Sequence, residues 1–261
     1  MVVPLGPVQE TMLITLHARA VNGDADARRL VEAVDYDFGP FEKYKGLVAL
    51  FHVLRSAAYD EWTRQFFAEC PQGTVVELGA GLSTRAERLD NGQARWCFVD
   101  LPDAVALRNE LLPDGDRRVT VAADVRDPSW AGAVAGLPGP YLFLAEGLLV
   151  YLDPADVHAV LRGLGQRFPG CRIALDTYGE WIIREPRGPL AGMAARMVWA
   201  CPEPKELEDL GLTLRTSWPL TRPESAVRDG LSRRTRATLT FVNAVVPSRV
   251  TEMRVNLFSA G

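Results

Sequence analysis

Apolar residues recur along this chain in two rhythms, and the rhythm changes near residue 74. Before that point the period is helical. Leu13, Leu16 and Ala20 fall at helical spacing within Thr11–Ala20, and Leu47, Leu50, Phe51, Leu54, Ala58, Trp62 and Phe66 do the same within Leu47–Phe67. Met1 to Cys70 therefore reads as a helical segment, which Pro71-Gln72-Gly73 interrupts. From Thr74 the pattern turns to short, almost continuous apolar runs at Thr74–Leu78, Trp96–Val99, Val119–Ala122, Tyr141–Ala145 and Arg172–Leu175. Runs of this kind suit strands buried on both faces of a parallel sheet. Helical patterns at Thr84–Leu89, Ala104–Leu112 and Pro154–Phe168 alternate with them, and that alternation predicts a doubly wound, Rossmann-like α/β fold.

Beyond the fifth run, residues 178–210 lose regular periodicity and are rich in Pro, Gly, Met and Trp, which predicts a cap inserted after the fifth strand. The chain then offers a strand at Leu212–Thr216, a helix near Glu224–Val242 and a final strand at Met253–Phe258. The late helix gathers Val227, Leu231, Leu239, Val242 and Val246 on roughly one face. The organisation expected is one domain over 1–261: a helical segment at 1–70, a core at 74–177, the cap at 178–210 and the end of the sheet at 211–261.

Composition narrows the class. With 261 residues, 48% hydrophobic and 24% charged, the chain has the balance of a soluble globule able to build its own core. A net charge of −4 and a pI near 5.5 argue against a nucleic-acid partner. Arg233, Arg234 and Arg236 form the one basic cluster and read as a solvated helix face. Cys70, Cys97, Cys171 and Cys201 are widely spaced, without a CxxC pair or neighbouring histidines, so neither a zinc site nor a disulfide framework is expected, and no metal. Cys97 and Cys171 sit in apolar runs as core residues. The pattern of a signal peptide and that of a membrane span are both lacking, and the compartment expected is the cytoplasm. The sequence carries no signal for an oligomeric state.

Candidate chemistry lies where the strands end. Val75 to Arg85 runs from a strand through Gly79-Ala80-Gly81 into a helix, and glycines there let the backbone approach a ligand. Thr84 with Glu87 reads as a capping box. The third glycine of a dinucleotide fingerprint is missing, which disfavours a pyrophosphate site. Asp100 closes its strand about twenty residues beyond the loop, where nucleoside-binding folds place an acid on the ribose hydroxyls. It equally suits a helix N-cap before Pro102. Asp124 and Val125 end the third strand, where an acid and a backbone N–H suit an adenine edge; a turn aspartate is the plainer reading. Glu146 follows the fourth strand as a near-buried carboxylate that needs a partner.

Taken together, ELGAGLSTRAERL, FVDLPDAVALRNELLP, AADVRDPSW, AEGLLVYLDPADV and IALDTYGEW resemble the leucine carboxyl methyltransferase-like family, in particular its bacterial polyketide O-methyltransferase branch. The resemblance covers most of the chain and is strongest from Val75 to Asp176. It implies S-adenosylmethionine as cofactor. It further implies that Arg55 binds the cofactor's methionine carboxylate, that Glu77, Gly79 and Gly81 form the loop contact, that Asp100 takes the ribose and Asp124 with Val125 the adenine, and that Glu146 lines the methionine end. Arg19 aligns with a basic contact from the N-terminal helix. One departure is Ser83, which stands where the branch usually has Asp.

A sulfonium methyl is already activated, so the protein need only hold a nucleophile in line and exclude water. A carboxylate is ionised near neutrality and needs no general base, whereas a phenol or alcohol profits from one. The three histidines, His17, His52 and His158, read as structural or exposed. Their scarcity favours a carboxylate acceptor, and the resemblance implies a natural product of polyketide type; a peptide C-terminal carboxylate or a hydroxyl is the alternative. Tyr151 and Tyr178 are candidates for orienting the substrate, and Trp181, Met193, Met197 and Trp199 for lining its pocket, with ordinary cap packing equally open. A nicotinamide-dependent oxidoreductase and a non-catalytic binding protein are the competing classes.

Overall fold

The computed structural model describes residues 5–44, 46–184, 195–245 and 251–261. The N-terminal segment comprises α1 (Pro7–Val21), α2 (Ala25–Ala33), a 3₁₀ turn at Gly39–Tyr44 and the long α3 (Leu47–Glu69). Then follow β1 (Thr74–Leu78), α4 (Arg85–Leu89), β2 (Arg95–Asp100), α5 (Pro102–Leu111), β3 (Arg118–Ala122), α6 (Trp130–Ala135) and β4 (Tyr141–Ala145). After these come α7 (Pro154–Arg167), β5 (Arg172–Thr177), α8 (Glu180–Arg184), β6 (Leu212–Pro219), α9 (Ser225–Asp229), α10 (Arg233–Val245) and β7 (Arg254–Ala260).

The strands form one seven-stranded sheet in the order β3-β2-β1-β4-β5-β7-β6. The first five are parallel, and β7 runs antiparallel to both β5 and β6. Side chains alternate across it as strand geometry requires. Val76, Cys97, Phe143 and Ile173 face α6 and α7 in one core, whose helical side includes Trp130, Val134, Val157, Leu161 and Leu164. Val75, Trp96, Phe98, Leu142 and Ala174 face the other way, onto Leu54, Ala58, Trp62 and Phe66 of α3 and Leu239 of α10. A third core joins α1 and α2 to Leu82 and to Leu107 of α5. Each fully buried large apolar side chain contributes about 1.5–3 kcal/mol, so these helices are held by the sheet rather than by their own propensity.

Alternation also explains one polar intrusion. Glu77 shares the face of Val75 on β1 and is buried beneath α3, where a carboxylate requires a countercharge. Arg85, at the first position of α4 and 1% exposed, supplies it.

Several expected boundaries move. The capping box at Thr84 does not form: the Thr84 hydroxyl accepts from the guanidiniums of Arg19 and Arg88, and Glu87 pairs with Arg118 on β3, so both side chains serve tertiary contacts. α6 was not expected, because its sequence, Trp-Ala-Gly-Ala-Val-Ala, carries too few large apolar positions to show a helical period. The single late helix is two helices, α9 and α10, separated at Gly230. β5 runs two residues further than expected, to Thr177, because β7 pairs with it through Arg254. β6 continues to Pro219 past an irregularity between Leu214 and Thr216. Within the cap, α8 and a 3₁₀ turn at Pro204–Leu210 are ordered elements; Met193 and Val246 lie outside the described residues. Among the described residues no helix is long and apolar enough to cross a membrane.

Candidate functional site

The strand order reverses at β1, which lies between β2 and β4, and open α/β sheets bind ligands at the carboxyl ends of the strands beside such a switch. A cavity of about 700 Å³ opens there. Its walls include Arg19, Arg55, Glu77, Gly79, Gly81, Asp100, Asp124, Val125 and Glu146, so the fold brings together all nine cofactor-binding candidates of the sequence.

The glycine loop is built for close approach. Gly79 and Gly81 have φ of 62° and 47°, in the left-handed region that favours glycine. A Cβ on Gly81 would lie 2.9 Å from Met12 of α1, which closes over the loop. Asp100 ties this loop to β2: its carboxylate accepts from the N–H of Gly81 at 2.6 Å and from that of Leu101 at 2.7 Å. Burial pushes its carboxyl up against the pull of these donors. Asp124 forks instead with Arg126, accepting from its Nε at 2.9 Å, and this guanidinium holds the carboxyl below its ordinary value. The Val125 carbonyl accepts from the Trp130 indole at 3.0 Å, which fixes the turn after β3.

The floor of the cavity is a network of buried ion pairs. Arg85 donates to Asp60 of α3 at 2.8 Å, to Glu77 of β1 at 2.8 Å and to Glu146 at 2.6 Å. Arg88 forks onto Asp60, and Arg19 pairs with Asp24. Arg55 donates to Glu146 at 3.2 Å, to Asp176 of β5 at 3.4 Å and to the Tyr178 hydroxyl at 2.8 Å. Gly147, with φ of 65°, passes so close to Arg55 that a Cβ would lie 2.9 Å from a guanidinium nitrogen. Asp176 also accepts from the Tyr59 hydroxyl at 2.9 Å and the Gly147 N–H at 2.7 Å. Burial pushes the Glu146 carboxyl up, but the Arg85 and Arg55 guanidiniums outweigh it and bring it down to about 2.

Above this floor the cavity turns apolar. Val150, Tyr151, Trp181, Ile182 and Met197 line it and cluster together. The Tyr178 ring joins them, while its hydroxyl, pushed well up by burial, keeps its proton. Trp199 does not belong to this wall. Its N–H and that of Val198 both donate to the Val150 carbonyl, pinning the segment against the sheet, and its indole fills the core beside Leu149 and Val157 at 3% exposure.

Sequence reasoning missed Arg85, Asp60, Asp176 and the position of His52, which lines the cavity. One signal could have pointed to Arg85: Glu77 and Glu146 each needed a countercharge, and an arginine stood eight residues after the first.

The fold is that of the class I S-adenosylmethionine-dependent methyltransferases. It is similar to a protein of Thermobifida fusca described as a methyltransferase (TM-score 0.59, 17% identity, 95% of this chain and 93% of that one). It is also similar to the magnesium protoporphyrin IX methyltransferase of Synechocystis PCC 6803, solved with bound S-adenosylhomocysteine (TM-score 0.50, 14% identity, 94% and 97%). The chain belongs to the leucine carboxyl methyltransferase family, whose model matches residues 16–165. It is 32% identical over 226 residues to the tetracenomycin polyketide synthesis O-methyltransferase TcmP of Streptomyces glaucescens, across 82% of this chain and 83% of that one. S-adenosylmethionine is accordingly its cofactor.

Proposed function

We propose that this methyltransferase esterifies a carboxylate of a polyketide-like small molecule. Two features of the chain fit the cofactor. The glycine loop leaves no room for side chains where a ligand must approach, and Glu77 Oε1 is buried beside the cavity without a partner among the described residues, an acceptor suited to a cationic ligand. Asp100 would hold the ribose, Asp124 and Val125 the adenine, and Arg55, Glu146 and Arg19 the methionine end. When bound, S-adenosylmethionine supplies a methyl already activated on sulfur.

The observation that carries the carboxylate reading is the state of the acids on the cavity floor. Glu146, the acid beside the apolar wall, is gripped by two guanidiniums and held at about 2, so it has no appetite for a proton at neutral pH. A carboxylate acceptor needs none removed. One of its oxygens would supply the electron pair of the new O–CH₃ bond, and the bound cofactor would supply the methyl and keep the electron pair of the broken S–CH₃ bond on sulfur, so that the opposite charges of the two partners would cancel. Such charge cancellation is favoured beside an apolar wall of Val150, Trp181 and Met197, where the effective dielectric is lower than in water. Tyr151 at the chamber wall orients the acceptor's ring system. Screening acceptor pools by intact mass for the gain of one methyl, followed by mild base, tests the reading: an ester releases methanol, and a base-stable product overturns it.

A further inference from the structure

His52 stands on α3 one turn before Arg55 and lines the cavity where the charged floor meets the apolar wall. Its Nδ1 lies 3.4 Å from Nη2 of Arg55. A guanidinium has only N–H groups to offer, so Nδ1 is the acceptor of this pair and the proton of the neutral ring sits on Nε2. Arg55 is not free to release it. Its Nε–H and Nη1–H groups are on Glu146, Asp176 and Tyr178, and the Gly147 backbone packs on the guanidinium. A buried network spanning α3, the turn after β4 and the end of β5 thus fixes the tautomer of one cavity-lining imidazole. Among the described residues Nε2 has no hydrogen-bond partner.

The charged groups facing the ring are Arg55 from its own helix and Glu146 from across the cavity. Burial, aided by Arg55 and opposed by Glu146, lowers the imidazole to about 3, so it is neutral across the physiological range.

We propose that His52 is the acceptor-selecting residue: a neutral imidazole whose Nε2–H binds the carboxylate oxygen that does not attack. The proposal rests on the carboxylate reading given above and deepens it. A carboxylate can give one oxygen to His52 and the other to the methyl. A phenol or alcohol has a single oxygen. An N–H directed at that oxygen draws density from the nucleophile, and the only lone pair of the ring, on Nδ1, is taken by Arg55 and cannot accept the hydroxyl proton. His52 therefore favours carboxylates twice over, as a donor to them and as a failed base for hydroxyls.

Two measurements on the full chain test this. Long-range ¹H–¹⁵N spectra of the three imidazoles, with His52 assigned from a His52→Gln sample, should give a neutral Nε2–H ring from about pH 5 to 9, well to the alkaline side of where it titrates. The Nε2 signal should shift on adding 2-naphthoate in the presence of S-adenosylhomocysteine and stay in place on adding 2-naphthol. Calorimetry should find 2-naphthoate bound about tenfold to a hundredfold more weakly by His52→Met, which keeps bulk but loses a charge-assisted hydrogen bond. His52→Gln offers an amide N–H near the Nε2 position and should recover most of that loss, and both variants should bind S-adenosylhomocysteine like the parent. An Nδ1–H ring, a ring protonated at neutral pH, or equal 2-naphthoate affinities for the Met and Gln variants would overturn the proposal, whatever the natural acceptor. If instead these results hold and the enzymatic product is stable to base, it is the carboxylate reading that falls.

Discussion

The Arg85 guanidinium meets the Glu146 carboxylate at 2.6 Å, across 61 residues of sequence, while its two other branches hold Asp60 and Glu77. One fully buried cation thereby ties α3, β1, α4 and the turn after β4 into the floor of the cavity. Arg85→Gln is expected to destabilise the fold by about 3–5 kcal/mol, the usual cost of stranding buried charge, as read from denaturant midpoints. Adding Glu77→Gln removes one of the stranded carboxylates and should restore part of the loss. A double variant no more stable than Arg85→Gln would show the Glu77 branch to be incidental.

Acid should weaken the fold in two stages. Burial together with Arg55 depresses His52 from 6.5 to about 3, and the arginines, overcoming burial, depress Glu146 from 4.5 to about 2. A group whose pKa is lower in the folded chain takes up its proton more readily when unfolded, so its stabilisation is complete above the unfolded value and disappears as pH falls toward the folded one. The melting temperature should therefore begin to fall below pH 6.5 and fall faster below pH 4.5. His52→Gln should remove the first stage and leave the second. A parent protein whose melting temperature is unchanged between pH 7 and 5 would contradict the neutral state of the half-buried His52.

Asp100 has a double duty, since the carboxylate that would take the ribose also ties down the Gly81 N–H. Asp100→Ala should weaken S-adenosylmethionine binding by about 1–3 kcal/mol for each donor left unpaired. Unchanged affinity by calorimetry would remove Asp100 from the cofactor site.

Arg55 engages four groups at once, and a lysine ammonium cannot reproduce that fork. Arg55→Lys is expected to lose about tenfold or more in cofactor affinity, the worth of one charge-assisted hydrogen bond. Binding as tight as the parent's would mean that Arg55 serves only its protein neighbours.

The two sides of the cap segment should respond differently to truncation. Trp199→Ala empties a core position and should cost about 3–5 kcal/mol of stability, with acceptor KM unchanged at temperatures where the variant stays folded. Met197→Ala trims the cavity wall and should raise acceptor KM with kcat little altered, the pattern of lost uniform binding. The reverse assignment in kinetics and melting would mean that Trp199 faces the acceptor.

Much of this protein was legible in one dimension because strand and helix periods are local. The five parallel strands were found within a residue or two, four of them because strands buried on both faces read as unbroken apolar runs, while the edge strand β3 is only half-buried. That the glycine loop, Asp100, Asp124 and Glu146 gather at one cavity was legible for a related reason: they stand where strands of a doubly wound sheet end, and strand ends can be counted along the sequence. α6 escaped, since a short run of Ala and Gly shows no period.

What the sequence could not decide was which charges meet. Glu146 announced that it needed a partner and Glu77 did not, and only the closing of α3 and α4 over the end of β1 made Arg85 the partner of both. His52 read as an ordinary helical histidine, because nothing local distinguishes a solvent-facing imidazole from one held against Arg55 at a cavity wall. Trp199 and Met197, two residues apart in the cap, looked alike in composition, and the Val150 carbonyl turned the first into core and left the second on the cavity wall. Hydrophobic pattern fixes which elements form and which face they bury; ion pairs and tautomers depend on contacts between residues tens of positions apart, and those exist only once the sheet has brought its strand ends together.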